Sequence, residues 1–318
     1  MGSCSNPHCF VADGEQCALG EMSEANCKCW TEQKNIENET LSNDTVKNSA
    51  RVPWSSASFG STDLVRLYQQ GPSILVGLIG AENSGKTTFL ASIYLLLISG
   101  SRLSKFSFCG SETLGAWEAI AAYCRFNNTD LPSFPPHTPR GVERTPGVLH
   151  FTLRDENNIT KNILLTDSPG EWFNQWSITP DSIEAQGAKW TAQHSDAFLI
   201  FADCEKLSGT ERGVARKELR MIIQRLAETV CRRPVLLVWA KSDKSPSENI
   251  RQAIQTTLNE SIPHALEVEV SVDDPSSMIT ATGHMLDHAW SPEKAKPISE
   301  PVVKNDAFLA YRGHYELS

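Results

Sequence analysis

Four short, largely apolar runs divide the middle of the chain: Ile74–Ile79, Asn162–Asp167, which ends in an acid, Phe198–Phe201 and Pro234–Trp239. Runs with no polar alternation predict strands buried on both faces, the pattern of a parallel sheet covered by helices. Val148–Leu153 alternates instead and predicts an antiparallel edge strand, while Leu266–Ser271 reads as the last core strand. Helical patterns fill the intervals. Thr88–Leu97 is continuously helix-compatible, Leu114–Arg125 and Gly213–Thr229 are periodic, and His284–Trp290 begins a closing helix. Thr62–Tyr68 reads as a short capped helix ahead of the first strand. Strands alternating with helices predict a three-layer α/β fold, its sheet mostly parallel with one antiparallel edge strand.

Outside this region the pattern fades. Residues 31–60 are largely polar and read as a flexible linker. The tail at 292–318 follows no periodicity, and the folded domain is expected over 61–291. Between the first two helical patterns and the alternating strand, Leu131–Gly147 forms a Pro-rich loop that offers a candidate switch segment.

Chemistry enters at the end of the first apolar run. Gly80-Ala81-Glu82-Asn83-Ser84-Gly85-Lys86-Thr87 matches GxxxxGK[ST], set between a predicted strand and a predicted helix. There the glycines allow a tight backbone path, successive N–H groups and the helix dipole converge on one point, and a polyphosphate is the natural occupant. Lys86 can reach the β/γ-phosphates and the Thr87 hydroxyl can coordinate Mg²⁺. The second run ends in Asp167, followed by Ser168-Pro169-Gly170-Glu171. A carboxylate here can hold Mg²⁺ through water, and the Gly170 N–H can meet a γ-phosphate. The fourth run leads into Ala240-Lys241-Ser242-Asp243, where an acid can accept both guanine N1–H and N2–H₂. Adenine lacks that donor pair.

The ordered set GxxNxGKT, DSPGE and AKSD resembles GTPases of the translation-factor-related (TRAFAC) class, and most of all the bacterial double-GTPase conflict-system families, over residues 70–290. The resemblance implies a P-loop NTPase fold and a GTP/GDP-binding, GTP-hydrolysing switch with Mg²⁺. It assigns nucleotide contacts to Gly80, Glu82, Asn83, Ser84, Gly85, Lys86, Thr87, Thr88, Lys241, Asp243 and Ser271. It places Mg²⁺ at Thr87 and Asp167, and hydrolysis at Lys86, Thr145, Gly170 and Glu171. Thr145 is preferred to Thr138 as the switch threonine because it stands just before the strand. Ser271-Val272 and Thr280-Ala281 compete to contact the guanine oxygen. The partner implied is a second GTPase or an effector. Two positions depart from the pattern: Ala240 stands where Asn or Thr is usual, and Glu171 where Gln or His is usual. A nucleotide-binding scaffold or an ATPase of another P-loop class therefore stays open as the alternative.

The formal charge of −9 argues against a nucleic-acid or anionic-membrane surface, which wants a basic face. No secretory pattern or membrane-length apolar run occurs, so a cytoplasmic location is expected. Of nine cysteines, five fall within the first 29 residues: Cys4, Cys9, Cys17, Cys27 and Cys29. So small a segment cannot build a core, and in a reducing compartment its thiolates point to a Zn²⁺ knuckle over residues 1–30. A redox-active or disordered thiol segment is the other reading. Cys109, Cys124, Cys204 and Cys231 are expected as small buried side chains.

Overall fold

The computed structural model describes residues 3–4, 30–31, 58–60, 63–64, 67, 73–125, 133–135 and 146–290. The chain divides into two units, Met1–Val52 and Pro53–Ser318. In the first, β1 (Ser3–Cys4) pairs antiparallel with β2 (Trp30–Thr31), placing Cys4 opposite Trp30. Cys9, Cys17, Cys27 and Cys29, most of the expected linker and the tail lie outside the described residues.

The second unit runs β3 (Ser73–Ile79), α1 (Lys86–Ile98), β4 (Ser107–Gly110), α2 (Leu114–Ala121), β5 (Gly147–Arg154), β6 (Thr160–Asp167), α3 (Gly170–Ile178) and α4 (Gln186–His194). It continues through β7 (Ala197–Asp203), α5 (Cys204–Ser208), α6 (Arg212–Val230), β8 (Val235–Ala240), α7 (Glu248–Ser261), β9 (Leu266–Val270) and α8 (Pro275–Ala289). Among the described residues the sheet has seven strands in the order β4-β5-β6-β3-β7-β8-β9. From β6 to β9 every pair is parallel. The uniformly apolar runs are the inner strands, because a strand covered by helices on both faces has no solvent side for polar residues. Every residue of β7 and β8 is buried.

Two cores follow. Phe89, Leu90, Tyr94, Trp117, Met285 and Leu286 pack on one face. Phe173, Trp176, Ile222, Leu226, Ile254 and Leu258 pack on the other. Trp172 joins Phe173 and Trp176 in this core. Arg233 holds the second layer together at its base. Its guanidinium donates to the Thr229 and Val230 carbonyls at the end of α6, and to the Ala192 and Ser195 carbonyls at the end of α4. A cation at two helix carboxyl ends opposes the negative pole of each.

Four expectations need correction. β5 is the one strand that opposes its neighbours, but it lies one place in from the edge, because β4 pairs along its outer side from Ser107 opposite Arg154. The true edge at the far side is β9, where Glu267 and Glu269 stay exposed; edge carboxylates discourage further pairing. The closing helix starts at Pro275 rather than His284, with Asp274 capping it by accepting from the Ser276 N–H (3.0 Å). The domain also begins earlier than residue 61: Phe59 is buried and exchanges both backbone hydrogen bonds with Val148, at 2.8 and 3.0 Å. Of the four later cysteines only Cys204 is buried. Cys109 faces outward from the edge strand β4, and Cys231 stands exposed just past α6.

Candidate functional site

In parallel strands the carboxyl ends align, and here β6, β3, β7, β8 and β9 present theirs along one side of the sheet. The loops leaving them wall a cavity of about 830 Å³. Its floor is the loop after β3. Asn83 (φ +62°) and Gly85 (φ +94°) turn the backbone left-handed, and α1 starts immediately at Lys86. The first-turn N–H groups of a helix have no partners within it, so this turn presents donors and a positive dipole end to the cavity. Glu82, Asn83, Ser84, Gly85, Lys86, Thr87 and Thr88 all line it.

Lys86 curls back over this loop, donating to the Gly80 and Ala81 carbonyls at 2.9 Å each. Burial draws its ammonium down to about 8, against the opposing pull of Asp167, Glu171 and Glu82. Ser84 and Ser168 are each 1% exposed, line the cavity, and have hydroxyls with no hydrogen-bond partner among the described residues. Buried hydroxyls rarely go unpaired. Both serines belong to the loops that line the cavity, after β3 and after β6.

The Thr87 hydroxyl donates to Asp167 Oδ1 at 3.2 Å, joining the start of α1 to the end of β6. A hydroxyl and a carboxylate side by side are hard oxygen donors, and this pair fits Mg²⁺ shared with phosphate oxygens. Three residues on, Gly170 begins α3 directly against the phosphate loop. A Cβ there would stand 2.2 Å from the Glu82 nitrogen and 2.4 Å from the Ala81 carbonyl carbon, so only glycine fits. Glu171 follows on the cavity wall.

The opposite end of the cavity is formed after β8. Lys241 adopts φ +57° and accepts the Lys244 N–H at 2.9 Å, closing a tight turn that presents Lys241 and Asp243 to the cavity. Ser271 and Val272 line this end, whereas Thr280 and Ala281 lie within α8 and do not. The Ser271 N–H is directed to Ser277 Oγ (3.2 Å), so it would have to exchange partners to meet a base. From the Pro-rich loop, Phe134 (69% exposed) and Pro135 reach the cavity; Thr138 and Thr145 lie outside the described residues.

Sequence reasoning missed Asp203, Glu205 and Lys206. Lys241 Nζ donates to Asp203 Oδ2 and Glu205 Oε2, both at 2.9 Å. Burial draws the Lys241 ammonium down, but these bonds outweigh it and leave its pKa raised. Lys206 Nζ donates to the Glu82 carbonyl at 3.0 Å. The available signal was an acid closing an apolar strand, the same signature that singled out Asp167.

A glycine-turned phosphate loop between parallel strand and helix, an adjoining Asp-x-x-Gly and a Lys-x-Asp turn together define a P-loop GTPase. The Double-GTPase 2 family model matches residues 74–289, and the chain belongs to that family. Among solved structures, the chain is similar to a nucleolar GTP-binding protein 1 from Plasmodium falciparum. That similarity is at 12% identity and TM-score 0.42, over 69% of this chain and 88% of that one. No curated protein matches the sequence. Among the described residues no helix is long and apolar enough to cross a membrane, and no cluster of His, Cys, Asp and Glu is arranged to hold a metal.

Proposed function

We propose that this chain is a Mg²⁺-dependent switch that binds GTP and hydrolyses it to GDP and phosphate. One observation carries the reading: a single cavity is lined by Lys86, Thr87 and Gly170 and also by Lys241 and Asp243, with Asp167 joined to it through the Thr87 hydroxyl. The spacing suits a molecule with a polyphosphate at one end and a base at the other. Lys86 and the α1 N-terminus would hold the β- and γ-phosphates, and Thr87 and Asp167 would hold Mg²⁺, which supplies charge neutralisation there. Gly170 would report the γ-phosphate, since its close packing on Ala81 and Glu82 couples any movement of the loop to α3. Glu171 would orient the attacking water, accepting from it without donating to the phosphate. Water attack at the γ-phosphorus breaks its bond to the bridging oxygen and leaves GDP. Lys86→Ala should abolish measurable GTP binding, because the phosphates lose their positioned cation. Unchanged affinity in that variant, by isothermal titration, contradicts the assignment.

The family suggests a bacterial conflict or defence setting in which a second GTPase or an effector reads the switch. The N-terminal unit is the natural docking element, held by one Zn²⁺ on Cys4, Cys9, Cys17 and Cys27, with Cys29 as substitute ligand. Elemental analysis of protein purified without chelator should find about one zinc per chain. Five freely titratable thiols without zinc would return this segment to a simple tail.

A further inference from the structure

β8 ends against the phosphate loop, but through a methyl group. A side chain at Gly85 would meet the Ala240 Cβ at 3.6 Å, and alanine offers no polar atom there. The two ends of the cavity are joined through the neighbouring strand instead. In the sheet Asp203 lies beside Ala240, and its carboxylate is buried. Oδ2 accepts Lys241 Nζ from the base turn (2.9 Å), while Oδ1 accepts the N–H groups of Glu205 (3.0 Å) and Lys206 (3.2 Å). That caps α5 and sets its direction. Glu205 Oε2 takes the same Lys241 ammonium at 2.9 Å. Lys206 then reaches back from α5 to the Glu82 carbonyl, 124 residues away in sequence, at 3.0 Å. The contact falls one residue before Asn83, where the loop turns left-handed.

We propose that Asp203 and Lys206 are positioning residues for nucleotide binding: a relay from Lys241 through Asp203 and α5 to Glu82 that holds the base turn and the phosphate loop in register. The inference rests on the guanine-nucleotide reading above. A loop held in its binding geometry before the ligand arrives loses less freedom on binding, so the relay acts on affinity through preorganisation. Both GTP and GDP should depend on it equally, since Glu82 and Lys241 serve the parts the two nucleotides share.

The test measures the affinity and release rate of a fluorescent GDP analogue on the full chain. Lys206→Met should weaken binding about tenfold, chiefly through faster release, as expected for a lost charge-assisted bond. Lys206→Arg should recover most of the loss, and Asp203→Asn should behave like Lys206→Met. Because Lys206 and Lys241 sit at the two ends of the relay, the double variant Lys206→Met/Lys241→Met should lose less than the product of the single losses. Wild-type affinity in Lys206→Met, failed rescue by arginine in a protein of unchanged melting temperature, or losses that simply multiply would each overturn the relay. Both lysines are on the cavity wall, so these arms stand even if the buried Asp203→Asn does not fold. A wild-type chain that binds no guanine nucleotide removes the parent reading and the relay together. Normal wild-type binding with an indifferent Lys206→Met removes the relay alone.

Discussion

At Gly170 the phosphate loop and the start of α3 share a gap too narrow for one more carbon, with Glu82 N at 2.2 Å from any Cβ. The obstruction is backbone on both sides, so the Gly170→Ala methyl cannot be accommodated by a rotamer change. Overpacking of this kind costs about 1–3 kcal/mol. The Gly170→Ala variant should lose at least about tenfold in affinity even for GDP, which lacks the γ-phosphate that Gly170 is assigned to meet. Titration with GDP checks this, and wild-type affinity would contradict the packing argument. The residues legible in sequence were those whose chemistry is local: Lys86, Thr87, Asp167 and Asp243 all sit in short spaced motifs. Asp203 carried a local signal, an acid closing an apolar strand, but its pairing with Lys241 and that of Lys206 with Glu82 were not legible, because these partners lie 38 and 124 residues away and only the fold brings them together. Ser271 lines the cavity, but the engagement of its amide with Ser277 was not legible, since it depends on the first turn of α8.

Among the elements, β5 shows how a strand's neighbours decide its character. Its alternating sequence reads as half exposed, yet His150 is 1% exposed, between β4 and β6. Nδ1 accepts the Glu112 N–H (3.0 Å), which leaves Nε2–H to donate to Asn162 Oδ1 (3.1 Å). This arrangement needs neutral imidazole. Burial lowers the His150 pKa, and the Asn162 bond and nearby Glu112 only partly oppose it. The unfolded chain therefore binds the proton at a higher pH than the folded one. Stability rises with pH between the folded pKa and the ordinary histidine value, and is lost on acidification through that window. One such group changes unfolding free energy by up to about 1.4 kcal/mol per pH unit. Urea unfolding from pH 7 to 5 should show this fall in the wild type and a smaller one in His150→Gln. Equal slopes in the two proteins would contradict the assignment. The inner strands and α6 were plain in the sequence because they are uniform or strongly periodic. α7 was missed because polar residues dilute its apolar positions Ile250, Ile254 and Leu258, and α3 because it is a short helix opened by the motif glycine.

For the whole molecule, the match over residues 74–289 lies within the second unit, Pro53–Ser318, and leaves the cysteine-rich segment outside it. The sheet brings the phosphate loop, the Asp167–Glu171 segment and the Lys241–Asp243 turn to its carboxyl edge, so this much of the site follows from parallel strand order. That edge makes guanine selection the central claim, and Asp243 the residue on which it turns. The most direct measurement is titration of the full chain with GTP, GDP, ATP and xanthosine triphosphate, for the wild type and Asp243→Asn. The wild type should bind GTP and GDP and discriminate against ATP, whose base lacks the paired donors that Asp243 accepts. Asp243→Asn should lose GTP and gain xanthosine triphosphate, because the amide can donate to the carbonyl that replaces the guanine amine. A wild-type preference for ATP, or a substitution that leaves the ranking of the four nucleotides unchanged, would contradict it.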